Sequence, residues 1–105
     1  VIVAVANLFV SERKHNKARK WFARATALEP DLGDAWAHAY FFEVKDGSDQ
    51  TRQDLVDRYV AAEPAHGELW TSVAKDPRNA RLDVAQKLRL CAEKLKRAED
   101  EEALA

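Results

Sequence analysis

The run Glu29–Trp36 reads EPDLGDAW, and the run Glu63–Trp70 reads EPAHGELW. Glu29, Pro30, Gly33 and Trp36 recur as Glu63, Pro64, Gly67 and Trp70, always 34 residues later, and Asp34 is answered by Glu68. A fixed spacing of this size is the strongest constraint in the chain, because repeat architectures build one supersecondary unit per period. The punctuation suits helices. Pro cannot continue a helix, Gly turns the chain, and an acid next to it favours the positive end of the following helix dipole.

Periodicity between the corners says the same. Ala18, Phe22 and Ala25 precede Pro30, and Ile2, Val5, Ala6 and Phe9 follow i, i+3, i+4, i+7 spacing. With only three Gly and three Pro, and with Ala, Leu, Glu, Lys, Arg and Asp dominant, there is little material for turn-rich sheets. The pattern predicts an all-α chain with helices over 1–12, 15–28, 33–46, 50–62, 67–75 and about 80–100. DGSD (46–49) and KDPRN (75–79) supply the turns inside the pairs. Val84, Leu88, Cys91, Leu95 and Ala98 mark one packing face of the last helix. Residues 1–98 are therefore expected to form three helix pairs with a long C-terminal capping helix. Residues 99–105 follow as an acidic tail, the polar terminus that stacked repeats require.

The 34-residue period resembles that of tetratricopeptide (TPR) repeats, and Ala18, Phe22 and Pro30 fit their second-helix pattern. ARKWFARA (18–25) followed by WAHAYFFE (36–43) is similar to HAT repeats, the half-a-TPR family found mostly in RNA-processing assemblies. DLGDAW, AEPAHGELW and the following AKD resemble the C-terminal HAT/TPR repeats of splicing factors in the spliceosomal tri-snRNP. The resemblance implies a right-handed helical-repeat solenoid. It also implies a protein–protein scaffold in pre-mRNA splicing, with nuclear localisation and other snRNP proteins as partners. Within it, Ala18, Phe22, Pro30, Gly33, Trp36, Pro64, Gly67 and Trp70 are structural. TPR geometry carried onto this chain places Asn7, Ser11, Asp34, Phe41, Lys45, Thr71 and Lys75 on the concave, partner-facing groove.

Other classes are weaker. Charged residues cancel to a net charge of -1, so no global field draws the chain to nucleic acid or membrane. The run 11–24 holds six Lys/Arg against one Glu, which leaves open an RNA-binding module on the basic helix 13–24. A generic TPR adaptor for an extended peptide is the other alternative. His15, His38 and His66 are scattered and Cys91 is the single cysteine, so no metal-ligand, nucleophile or cofactor motif forms. No enzyme, cofactor or metal is expected, and a lone thiol suits a reducing compartment. The apolar opening VIVAVANLFV is too short to span a bilayer. It reads as an internal helix of a longer protein, and as a surface through which the isolated piece self-associates.

Overall fold

The computed structural model describes residues 2–104; Val1 and Ala105, which the expected first helix and acidic tail included, lie outside them. Six α-helices follow in order: α1 (Ile2–Ser11), α2 (His15–Leu28), α3 (Gly33–Asp46), α4 (Asp49–Ala62), α5 (Glu68–Ala74) and α6 (Val84–Leu104). A single 3-10 turn, Pro77–Asn79, separates α5 from α6. Among the described residues the chain is all-helical apart from one isolated bridge, Leu32 to His66.

Local chemistry sets the boundaries. Ser48 and Thr51 form a reciprocal capping box that starts α4 one residue earlier than the turn pattern indicates. Asp76 caps the 3-10 turn, and Asn79 Nδ2 donates to the Val73 carbonyl, so the chain is still turning where a helix from about 80 was expected. A second reciprocal pair, Gln86 N to Asp83 Oδ1 (2.8 Å) and Asp83 N to Gln86 Oε1 (3.0 Å), then starts α6 at Val84. The acidic run 99–102 belongs to the last turns of α6.

Helix α3 is the hub: it packs on α2, α4, α5 and α6, while α1 packs on α2. Its buried residues, which include Trp36, Ala37, Ala39, Tyr40 and Phe42, spread around the helix instead of forming one stripe. Phe22 of α2 meets Phe42 of α3 with ring centroids 5.4 Å apart. Tyr59 of α4 is fully buried and joins the two halves. Its ring lies edge-on to Trp36 at 6.1 Å, and its hydroxyl accepts a 2.9 Å hydrogen bond from Trp70 Nε1. The third pair departs from the other two. Helix α5 has 7 residues against the 14 of α3 and α4, while α6 has 21 and lies against α3 as well as α5. The molecule measures 38 × 34 × 27 Å, so this piece is nearly as broad as it is long.

The two Glu-Pro-x-x-Gly corners bind each other. Ala65 N and His66 N both donate to the Asp31 carbonyl, and Gly33 N donates to the His66 carbonyl at 2.6 Å. Asp34 reaches across and accepts from Leu69 N (3.2 Å) and Trp70 N (2.6 Å), satisfying the free amides at the start of α5. The acid therefore serves the next repeat's helix more than its own. The two glycines also differ. Gly67 has φ of +125° and turns the chain, with Asp34 directly against it. Gly33 is the first residue of α3, and its missing Cβ leaves the space occupied by the Trp70 indole.

Cys91 lies on α6 with 0% exposure, and burial pushes its thiol pKa from 9.0 up to about 11. Burial also raises the Tyr59 hydroxyl. Both groups are acids that hold their protons more tightly when folded. Their stabilisation is complete below the unfolded pKa and is lost as pH rises toward the folded one. The free energy of unfolding is expected to fall between about pH 9 and about pH 11, with Cys91 contributing about 2–3 kcal/mol. Urea titrations across that window check this: a Cys91→Ala variant is expected to show a shallower decline than the parent.

Candidate functional site

Four of the groove residues come together. Asn7 and Ser11 of α1, Phe41 and Lys45 of α3, and the α6 residues Leu95, Ala98, Glu99 and Glu102 line one cleft of about 770 Å³. Val10, His15, His38, Phe42 and Asp46 complete its lining. Helix periodicity explains the α3 wall: His38, Phe41, Phe42 and Lys45 sit at spacings of three and four, on one face. The α6 wall repeats the device with Leu95, Ala98, Glu99 and Glu102.

Polar contacts organise the cleft. Lys45 Nζ lies 2.8 Å from Glu99 Oε2 and 4.8 Å from the centroid of Phe41, so the cation joins α3 to α6 over an aromatic face. Asn7 Nδ2 and His38 Nδ1 are 3.5 Å apart between α1 and α3. Burial holds the His38 pKa below its usual value, with the Asp34 charge opposing that shift. The His15 ring stacks on Phe42 at 6.0 Å, and its Nδ1 lies 3.2 Å from Asp46 Oδ1. Ser11 Oγ donates to the Leu8 carbonyl and stays exposed.

Asp34, Thr71 and Lys75 are placed elsewhere. Asp34 caps α5, as described above, and Thr71 Oγ1 donates to the Gly67 carbonyl at 2.6 Å. Lys75 is the exposed C-cap residue of α5. None of the three lines the cleft, whose far wall is α6, packed on both α3 and α5. The opposite side of Phe41 meets a smaller hollow of about 220 Å³, formed with Tyr40, Val44 and residues of α6.

An ion pair not anticipated from the sequence joins α2 to α3 beside the cleft. Arg19 Nε donates to Glu43 Oε1 at 2.8 Å, bringing α2 onto α3, and Glu43 is 6% exposed. That hydrogen bond, with the Glu43 and Asp46 charges, raises the Arg19 pKa against a smaller lowering by burial. Arg52 Nη1 adds a bond to the Glu43 carbonyl from α4. The signal was weak: Arg19 is one of three basic residues in ARKWFARA (18–25), and only Glu43 is acidic in WAHAYFFE (36–43). Removing Arg19 leaves a buried carboxylate without its partner. Arg19→Ala is expected to cost about 1–3 kcal/mol, the lower figures reflecting the partly exposed guanidinium. A double-mutant cycle with Glu43→Gln, read by urea unfolding, should show a sum that exceeds the double mutant's cost.

The exposed side of α2 carries Lys17, Lys20 and Arg24, with Arg24 5.2 Å from the centroid of Trp21 and Lys17 5.9 Å from that of Phe9. Among the described residues no group of three or more His, Cys, Asp or Glu side chains is placed to hold a metal ion. No helix there is long and apolar enough to cross a membrane.

No protein-family model matches the chain. Individual proteins do. The chain is 46% identical over 96 residues to human "Pre-mRNA-processing factor 6", covering 91% of this chain and 10% of that protein. It is 49% identical over 80 residues to Arabidopsis thaliana "Protein STABILIZED1", covering 76% of this chain and 8% of that protein. The Schizosaccharomyces pombe "Pre-mRNA-splicing factor prp1" is 30% identical over 90 residues, or 86% of this chain and 10% of that protein. The chain thus spans about a tenth of the length of the curated relatives it matches.

Proposed function

We propose that this chain, which belongs to the pre-mRNA-processing factor 6 family, acts in pre-mRNA splicing as a protein–protein scaffold. In this reading the helix pairs stack on further HAT/TPR-like pairs as part of a right-handed solenoid, and the role is non-catalytic. Other snRNP proteins of the tri-snRNP are its partners, and the nucleus is its location. The observation that carries the reading is the cleft. It gathers Asn7, Ser11, Phe41 and Lys45, from two successive first helices, into one concave face against α6. Extended helical repeats use faces of this kind to bind proteins through many modest contacts.

The test is affinity capture from nuclear extract on the immobilised chain, with the recovered proteins identified by mass spectrometry. Recovery of snRNP proteins by the parent, reduced by Ala98→Arg at the exposed edge of the cleft, is the expected result. Recovery of none, or of the same set with both baits, contradicts it.

A second reading rests on the α2 face, where Lys17, Lys20 and Arg24 share one exposed side beside Trp21. That stripe suits phosphate contacts, and single-stranded RNA binding that weakens steeply with salt would support it. Self-association through α1 belongs to the same proposal, since Leu8 is 57% exposed on a helix of mainly apolar residues. Sedimentation that stays monomeric at high concentration would count against it.

A further inference from the structure

We propose that the cleft between α1, α3 and α6 takes a short peptide segment of a partner in which one or two aliphatic residues are flanked by Lys or Arg. The proposal rests on reading this cleft as a partner-binding face and adds the chemistry of what enters it.

The floor selects the anchor. Val10, Phe41, Phe42 and Leu95 line the cleft, whose volume is about 770 Å³. Clefts of roughly 300–1,000 Å³ accept a ligand of drug size, which is room for two or three side chains. An apolar residue seated there leaves water and covers aromatic surface.

The walls select the flanks. Asp46, Glu99 and Glu102 contribute three carboxylates to the lining; Asp46 already faces Arg19 (3.9 Å) and His15 (3.2 Å), and Glu99 faces Lys45 (2.8 Å). Lys45 is engaged by Glu99 and the Phe41 ring, and among the described residues no ion pair reaches Glu102. Glu102 and Ala98 are both exposed, placing this charge at the mouth, where it can steer an incoming cation. His38 adds no compensating charge near neutral pH, because burial disfavours its protonated form. A phosphate backbone or an acidic segment would meet like charge here. The basic stripe of α2 is a separate surface, since Lys17, Lys20 and Arg24 are not part of the cleft lining.

The experiment uses the 105-residue chain and a fluorescein-labelled peptide with a Leu-Leu pair between two arginines on each side. Two matched peptides replace the leucines by serine or the arginines by glutamate. Fluorescence anisotropy is expected to show the Arg/Leu peptide binding at least about tenfold more tightly than either control, a difference of about 1.4 kcal/mol. Glu99→Lys/Glu102→Lys should weaken that binding by about tenfold or more. Asp54→Lys/Asp57→Lys is the control: two exposed α4 positions with the same spacing and the same change in net charge. It should leave binding within about twofold.

Equal loss in both charge variants would reduce the effect to net charge and overturn the proposal. So would equal binding of the serine peptide. Self-association that is abolished by Glu99→Lys/Glu102→Lys would assign the cleft to a second copy and also overturn it. Circular dichroism establishes that each variant is folded before it is read. The outcome is separable from the splicing assignment. Capture of snRNP proteins without selective peptide binding removes this chemistry alone, and selective peptide binding without that capture removes the splicing partners alone.

Discussion

Replacing Trp36 by alanine is expected to lower the free energy of unfolding by about 3–5 kcal/mol. The indole is 4% exposed, packs edge-on against Tyr59, and donates from Nε1 to the Pro30 carbonyl at 3.0 Å. Truncation removes a large apolar surface and leaves a cavity at the junction of α3 with α4. It also frees a corner carbonyl that had been hydrogen-bonded. Domains of this size have about 5–15 kcal/mol in total, so the loss takes a large share of it. Urea unfolding followed by circular dichroism measures it without relying on tryptophan fluorescence. Trp36→Phe, which keeps most of the area and gives up the hydrogen bond, should cost only about 1 kcal/mol. A shift near zero for Trp36→Ala would show that the indole is not part of the core.

Gly33→Ala is the more discriminating substitution, because two effects oppose each other. Alanine is favoured over glycine by about 1 kcal/mol in a helix interior and by less at a first residue such as Gly33, whose φ is not positive. On propensity alone the variant should gain stability. The new Cβ, however, would fall inside the Trp70 indole, against its Cβ, Cγ and Cδ1 atoms. Those atoms cannot yield freely, since Trp70 is 9% exposed and its Nε1 is held by Tyr59. A net loss of about 2–4 kcal/mol is therefore expected, overpacking outweighing propensity. Shortening the opposing side chain should relieve it, so Gly33→Ala combined with Trp70→Leu should cost less than the sum of the two. A stabilised Gly33→Ala variant would mean that the corners do not touch.

These two residues show how far the sequence could be read. The doubled Glu-Pro corner marked both positions as structural, and helical periodicity placed five of the six helices close to their observed bounds. Spacing could not say that the first corner packs on the second. Asp34, expected on a partner-facing groove, caps α5, a role visible only once Gly67 and Asp34 are side by side. Tyr59 escaped notice because it stands one period after Ala25, whereas Val56 occupies the slot of Phe22. The aromatic that ties Trp36 to Trp70 thus sits one turn from where the first repeat would put it. The start of α6 was signalled by Asp83 and Gln86, but a reciprocal cap is hard to weigh against the preceding Pro77 turn.

The cleft was half legible. Carrying TPR geometry onto the chain brought Asn7, Ser11, Phe41 and Lys45 to one side, and the structure gathers those four. Its other wall comes from α6, whose apolar stripe was read as a packing face without a stated partner. Long-range placement of a terminal helix depends on the shape it finds, here the α3 face beyond a short α5. No local pattern encodes that. The acidic residues at its end took on meaning only beside Lys45 and Phe41, 54 residues from Glu99 for the lysine.

The central claim is that the interlocked corners make α3, α5 and their flanks one cooperative unit, so that the cleft is presented preformed. Native-state amide hydrogen exchange tests it most directly. The amides of Gly33, Ala65, His66, Leu69 and Trp70 all donate across the paired corners. These five are expected to exchange with a common free energy close to that of global unfolding, and Gly33→Ala to lower them together. If Ala65, His66, Leu69 and Trp70 instead exchange through a low-energy opening while the α3 amides stay protected, the corners are not locked and the claim fails.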